Sequence, residues 1–300
     1  MSYVEMMNAN PIKKKLESVL ADPNYIAEIK FDGCRYEYCE SDLVSRLGVS
    51  KGANAPHLIE VLSKYNVVLD GEVYYPGKNS NATTAVMGSL PGVALEKQME
   101  SGNIRYVLYD IMVLAGEYIG HKPWSLRRVH LEMFYKSLTE QEREFIDLSE
   151  IFPAKFGLTN FENTMNFIKA RDIEGLMFKN IHAAYQPGKS PENVWFKVKK
   201  EITFEAIITG YVPGTGKYAG QIGSVIFGLY DDNGALVDCG KASGFSDKLR
   251  REISDNKMDF LGRVLEIHAM EKITDTSYRH PVFYAFRDDK DPKRCHMHQV

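Results

Sequence analysis

Long apolar runs are missing from this 300-residue chain, and no stretch approaches the ~20 residues that a membrane-crossing helix needs. The N-terminus is Met-rich and polar, then Lys-rich at Lys13 to Lys15, without an apolar centre, so no signal peptide is expected. Cysteine is scarce. Cys34, Cys39, Cys239 and Cys295 lack metal-type spacing, and free thiols in a cytoplasmic compartment (host cytoplasm if the source is viral) are the expectation. Neither sign of charge is in surplus: 37 Lys and Arg stand against 40 Asp and Glu, a net charge of −3. A chain so balanced binds nucleic acid only through local basic clusters. Internal repeats and low-complexity tracts are absent too. What remains is an ordinary composition, 44% hydrophobic and 26% charged, with length for one large or two ordinary domains.

Apolar spacing predicts helices over 11–20, 56–65, 124–136 and 160–170, and a loop with a short helix over 79–103. Strands are expected at 25–30, 36–44, 67–73, 104–113, 174–179 and 194–199, the last with its lysines on one face. Beyond Lys200 short strand candidates alternate with glycine at 203–209, 222–230, 234–239 and 263–269, the texture of a small closed barrel. A domain boundary is placed near residue 200, with the charged stretch Lys197 to Glu201 as a hinge. Two local patterns are set aside. Gly214-Thr215-Gly216-Lys217 lacks the first glycine and the Ser/Thr of a phosphate loop and reads as a hairpin, and Cys295-His296-Met297-His298 has no second ligand pair for a metal.

The strand candidates repeatedly end in charge. Residues 28–35, Glu-Ile-Lys-Phe-Asp-Gly-Cys-Arg, crowd Lys30, Asp32 and Arg35 at a turn broken by Gly33. With an ordinary pKa of roughly 10.4, only about one lysine in a thousand is neutral at pH 7, so a nucleophilic lysine needs nearby positive charge or burial. Further along come Ser45/Arg46, Asp70/Glu72, Tyr109/Asp110, Glu174/Lys179 and Lys197/Lys199. Any one of these is an ordinary solvated strand end. Together they supply carboxylates suited to Mg²⁺ and cations suited to phosphate, the equipment of phosphoryl or nucleotidyl transfer.

In this order the segments resemble the motifs of the covalent nucleotidyltransferases, and among them the ATP-dependent DNA ligases, most of all the small bacteriophage type. Lys30 to Arg35 matches K-x-D-G-x-R, Ser45 to Gly48 the following arginine motif, and Asp70-Gly71-Glu72 matches D-G-E. Tyr106 to Asp110 is similar to the motif with a base-stacking aromatic, here Tyr109. Glu174 to Lys179 matches E-G-x-x-x-K, Trp195 to Lys199 matches W-x-K-x-K, and Arg279 together with Arg287 to Lys290 is similar to the last motif, R-x-D-K.

The resemblance covers almost the whole chain and implies an α+β fold. A nucleotidyltransferase (adenylation) domain of antiparallel sheets with flanking helices would occupy 1–200 and an OB-fold β-barrel 201–300. With Lys30 so near the start of this sequence, the N-terminal helical domain of larger ligases is not expected. The implied catalytic residues are Lys30, Asp32, Arg35, Lys197 and Lys199. ATP would be bound by Glu28, Lys30, Arg35, Arg46, Glu72, Tyr109, Lys179, Lys197, Lys199, Arg287 and Lys290, and Mg²⁺ by Glu72 and Glu174 with Asp70. The implied activity is sealing of nicked double-stranded DNA by a monomer, in three steps: lysyl–AMP on Lys30, a DNA 5′-adenylate, and attack by the 3′-hydroxyl. Arg127/Arg128, Lys199/Lys200 and Lys248/Arg250/Arg251 are candidate DNA contacts. A GTP-dependent mRNA-capping guanylyltransferase shares the lysine motif, and a non-catalytic OB-fold module binding single strands would need neither Lys30 nor Glu174.

Overall fold

The computed structural model describes residues 3–12, 15–154 and 156–299. The fold is α+β and divides into two compact units, Met1–Lys199 and Lys200–Val300. The strands of unit 1 are β1 (Asn10–Pro11), β2 (Tyr25–Lys30), β3 (Cys34–Cys39), β4 (Asp42–Ser45), β5 (Val67–Tyr74), β6 (Arg105–Leu114), β7 (Glu117–Tyr118), β8 (Ile146–Leu148), β9 (Ile151–Pro153), β10 (Gly175–Asn180) and β11 (Trp195–Lys199). Its helices are α1 (Leu16–Ala21), α2 (Pro56–Leu62), α3 (Ser80–Met87), α4 (Pro91–Ser101), α5 (Trp124–Ser137), α6 (Glu140–Arg143) and α7 (Phe161–Ala170).

Two sheets organise the unit. One has the order β1-β11-β10-β2-β9, antiparallel except for the β1–β11 pair, and the other the order β4-β3-β5-β6-β7, with β8 added parallel to β6. The β3–β4 hairpin turns at Glu40 and Ser41, both at positive φ. Three apolar clusters hold the layers. Leu16, Ile168 and Phe178 pack α1 and α7 on the first sheet, and Leu58, Leu69, Tyr106 and Leu131 pack helices on the second. Met7, Val68, Met112, Trp124, Tyr185 and Trp195 form the third.

Helical expectations hold at 56–65, 124–136 and 160–170 and shift elsewhere. The stretch 11–20 begins as strand, because Pro11 pairs with Lys197 and the Ile12 N–H donates to the Lys197 carbonyl at 3.1 Å, so α1 starts only at Leu16. Lys13 and Lys14, within that predicted helix, lie outside the described residues. Residues 79–103 hold two helices rather than one. Asn79 caps α3 by accepting the Ala82 N–H, Pro91 opens α4, and Gly102 ends it at a φ of 88°.

Unit 2 contains β12 (Ile202–Pro213), β13 (Ile222–Tyr230), β14 (Leu236–Ala242), α8 (Asp247–Asp255), α9 (Lys257–Phe260), β15 (Val264–Ala269), β16 (Glu271–Thr274), β17 (Ser277–Arg279) and β18 (Val282–Phe286). Its main sheet is antiparallel in the order β14-β13-β12-β15-β18, and a bridge between Ser243 and Val282 joins its two edges. Phe204 stacks on Tyr278 with ring centroids 4.3 Å apart inside it. Gly214 to Lys217 lie in the β12–β13 connection, a hairpin as its glycines suggest. Among the described residues, no helix is long and apolar enough to cross a membrane.

Candidate active site

Three neighbouring strands of the first sheet carry charge to one face. Lys197 pairs with Met177 and Met177 with Glu28; at the next same-face position Lys199 pairs with Gly175 and Gly175 with Lys30. Alternation along each strand therefore gathers Glu28, Lys30, Lys179, Lys197 and Lys199 on that face. Gly175 is required there, since a Cβ would come within 2.0 Å of the Val198 carbonyl oxygen. With no side chain between them, Lys30 and Lys199 meet at the carboxylate of Glu174. Lys30 Nζ donates to one oxygen at 2.5 Å and Lys199 Nζ lies 2.9 Å from the other.

The second sheet supplies the facing groups. Gly33 lets the turn after Lys30 approach β5, where a Cβ would sit 2.3 Å from the Val73 carbonyl oxygen. Arg35 on β3 then opposes Glu72 on β5. Tyr109 occupies an irregularity in the β5–β6 ladder, between the Asp70–Asp110 and Gly71–Leu108 pairs. Such a bulge re-aims a side chain, and here the Tyr109 hydroxyl donates to Glu72.

Between the two sheets lies a cavity of about 240 Å³. Six cations line it, Lys30, Arg35, Arg46, Lys179, Lys197 and Lys199, against two carboxylates, Glu28 and Glu72. Tyr109, Trp195, Phe31 and the segment Asn8–Ala9 complete the wall. This excess of positive charge beside aromatic rings suits a polyanion that carries a flat base. A second hollow of about 430 Å³, around Asn10, Lys15 and Phe196, gathers no such charge.

Burial lowers the pKa of Lys197, and the neighbouring cations Lys199, Lys30 and Arg46 lower it further. Burial pushes the Glu72 carboxyl up to about 7, against the pull of Lys30 and Tyr109. Lys179 is ion-paired with Glu28, both essentially inaccessible, and its Nζ lies 4.5 Å from the centroid of the Trp195 ring. The other oxygen of Glu28 accepts the Ser149 hydroxyl at 2.5 Å and lies 3.6 Å from Arg128.

Not every expected residue joins the cavity. Asp70 is wholly buried and is not in the wall. Its two oxygens accept Arg35 Nε at 2.8 Å and Nη2 at 2.5 Å, and Tyr185 donates to it at 2.9 Å. Both of its oxygens thus hold Arg35, with Tyr185 on one of them, so Asp70, expected among the metal ligands, sits behind Arg35 and orients it. Asp32 also stands outside the wall, accepting the Ser80 N–H at 3.0 Å where α3 begins, a contact that ties the turn after Lys30 to that helix. Arg287 and Lys290 lie in unit 2. Arg287 pairs with Glu205 and Glu266 at 3.0 and 3.2 Å and with Asp289, while Lys290 is 3.6 Å from Glu205.

The expected basic surfaces need correction as well. Arg127 has 0% exposure and donates to both oxygens of Asp110 at 2.8 and 2.7 Å. Arg128 is buried against Ser149 and Glu132, and Arg250 donates to the carbonyls of Ile222 and Gly223. These three are internal braces, whereas Lys248 and Arg251 are exposed.

Residues 6–199 match the family described as ATP dependent DNA ligase domain. The chain belongs to the ATP-dependent DNA ligase family. It is 27% identical over 305 residues to DNA ligase 2 of Methanosarcina acetivorans, covering 89% of this chain and 52% of that protein. It is 28% identical over 218 residues to the SPbeta prophage-derived DNA ligase-like protein LigB of Bacillus subtilis, covering 70% of this chain and 72% of the relative. The chain spans about half the length of the larger curated relatives it matches. A solved structure from a structure-function study of Lig E DNA ligases superposes with a TM-score of 0.70 at 18% identity, covering 95% of this chain and 100% of that one. That likeness concerns the fold.

Family motifs account for most of the cavity wall. They do not mark Asn8, Ala9, Ser149, Arg128 or Tyr185, whose contribution depends on contacts between segments distant in the chain.

Proposed function

We propose that this chain is an ATP-dependent DNA ligase that seals nicks in duplex DNA. The observation that carries the reading is Lys30, set in a cation-lined cavity and touching Glu174 at 2.5 Å, within a chain of this family. In the first step Lys30 Nζ attacks the α-phosphate of ATP. An N–P bond forms, the α–β P–O bond breaks and pyrophosphate leaves. Glu174, already in contact with Lys30, is placed to take the proton. Lys197 and Lys199 stabilise the charge that develops on phosphorus. Arg35, held by Asp70, and Arg46 in the cavity wall bind ribose or phosphate oxygens. Tyr109 stacks on the base, and Glu28 and Lys179 form the floor beneath it. AMP then passes to the 5′-phosphate at the nick. In the last step the 3′-hydroxyl attacks that phosphate and AMP departs.

Glu72, in the cavity wall, is an oxygen donor of the kind Mg²⁺ prefers; Glu174, whose two oxygens hold Lys30 and Lys199, would join it only by releasing one of those lysines. Glu72 has no ion-pair partner among the described residues, and its raised pKa of about 7 reflects a buried carboxylate that a divalent cation would neutralise. The ion would supply charge compensation at phosphate. Unit 1 is read as the adenylation domain. Unit 2 is read as an OB-fold domain, a reading supported by its five-stranded antiparallel sheet with edges joined at Ser243 and Val282. Arg287 and Lys290 would orient the departing pyrophosphate. The enzyme is read as a monomer that contacts DNA through backbone phosphates, and its four free cysteines fit a reducing, cytoplasmic setting. The test is a singly nicked duplex with a 5′-phosphate, incubated with ATP and Mg²⁺. Sealed strand is expected, and its absence with active ATP and intact nicks would contradict the reading.

A further inference from the structure

The wall of the cavity includes a segment that no motif covers. Residues 3–9 form neither helix nor strand, yet Met6 and Met7 are buried and Asn8 and Ala9 face the cavity. Backbone bonds to the 188–189 segment (the Asn8 N–H to the Lys189 carbonyl at 2.8 Å, the Gly188 N–H to the Glu5 carbonyl at 3.1 Å) and side chains from distant parts of unit 1 hold this strap. The Val4 N–H donates to Glu37 at 2.6 Å, the Met7 N–H donates to the Tyr185 hydroxyl at 2.9 Å, and Arg35 Nη1 donates to the Met7 carbonyl at 2.7 Å. Both polar ends of Met7 are therefore bonded to the Arg35 region.

Tyr185 is the junction. It is 3% exposed and lies between β10 and β11. Its ring meets Trp195 edge-on, with centroids 5.8 Å apart. Its single O–H donates to Asp70 at 2.9 Å, while its lone pairs face the Met7 N–H and, at 3.4 Å, Arg35 Nη2. One hydroxyl thus touches the strap, the carboxylate that orients Arg35, and Arg35 itself.

We infer that Tyr185 is a positioning residue for nucleotide capture: its hydroxyl locks the strap at Met7 to the Arg35–Asp70 pair, so that Asn8, Ala9 and Arg35 present one pre-formed wall to ATP. The inference rests on the reading of the cavity as the nucleotide site. Pre-organisation of this kind acts on binding more than on the chemical step. Without the hydroxyl, the buried Met7 N–H loses its partner, a loss of the size that weakens binding about tenfold. Arg35 keeps its two bonds to Asp70, so the fold and the reacting groups stay in place.

The test is Tyr185→Phe in the full chain. Lysyl–AMP formation is followed against ATP concentration, and hydrogen exchange of the Met7–Ala9 amides is measured with and without ATP. The inference expects the ATP concentration for half-maximal adduct formation to rise about tenfold, with the maximal rate within about twofold of wild type and faster exchange across the strap. Sealing of a nick that already carries a 5′-adenylate should be nearly unchanged. Wild-type ATP dependence with wild-type exchange would overturn it, as would a loss of maximal rate alone. If the variant does not fold, the wild-type protein decides: ATP should slow exchange at Asn8 and Ala9, and unaltered exchange at saturating ATP would overturn the inference. A wild-type protein that forms no adduct would count against the proposed function, and strap exchange in the variant would still read the anchoring separately.

Discussion

Lys30 and Glu174 meet at 2.5 Å across the ends of β2 and β10, and the other oxygen of Glu174 holds Lys199 at 2.9 Å. One carboxylate thus sets the spacing of two lysines. Glu174→Gln keeps the shape and removes the charge. Hydrogen bonds to charged groups contribute about 1.5–3 kcal/mol each, so lysyl–AMP formation should slow by on the order of 10²-fold while the far-UV circular dichroism stays unchanged. Rapid-quench measurement of the labelled adduct checks this, and a wild-type rate would show that Glu174 does not organise the lysines.

Tyr109 carries a second prediction. Its ring lines the cavity and its hydroxyl bonds Glu72. Tyr109→Ala should weaken ATP binding by about 1–3 kcal/mol, the usual loss for a stacked base. Tyr109→Phe retains the ring and should be mild. If Tyr109 served only the core, the alanine variant would melt earlier while its folded fraction kept wild-type ATP affinity, as titration calorimetry would reveal.

Glu37 gives a pH dependence. Burial, reinforced by Asp70, raises its pKa from an ordinary 4.5 to about 8. Between those values the folded chain holds a proton that the unfolded chain has released, so stability falls as pH rises through that window and levels off above it. Glu72, raised to about 7, acts in the same direction. Glu37→Gln removes the first contribution. The variant should melt at least about 2–4 °C above wild type at pH 8.5 and differ least near pH 4.5. Parallel melting curves across the whole range would contradict the assignment.

Arg127 separates brace from surface. Its pair with Asp110 is sealed from water, and breaking such a pair costs about 3–5 kcal/mol. Arg127→Ala should lower stability by that amount in a denaturant titration. The folded fraction should bind nicked duplex as wild type does. A selective loss of DNA affinity at unchanged stability would restore Arg127 to the DNA-contacting surface.

Much of the site could be read before the fold because strand alternation is local. Lys197 and Lys199, or Glu28 and Lys30, share a face by spacing alone, and ladder register then brings the pairs together. Burial of charge is not local. Arg127, Arg128 and Arg250 look like surface cations until Asp110, Ser149 and the carbonyls of Ile222 and Gly223 arrive from other segments. Asp70 reads as a metal ligand by motif, and only its bidentate contact with Arg35 shows where its lone pairs go. The strap is the extreme case. Met7 bonds to residues 28 and 178 positions away, beyond the reach of any periodic pattern.

The central claim is that Lys30 is the nucleophile toward ATP. It is tested most directly by incubating the protein with Mg²⁺ and α-labelled ATP or GTP and looking for an acid-labile protein–nucleotide adduct. Label from ATP on wild type, mapped to Lys30, with none on a folded Lys30→Arg variant, is the predicted result, because an arginine stays protonated and cannot attack phosphorus. Normal labelling of Lys30→Arg, label from GTP alone, or no label on wild type would contradict it.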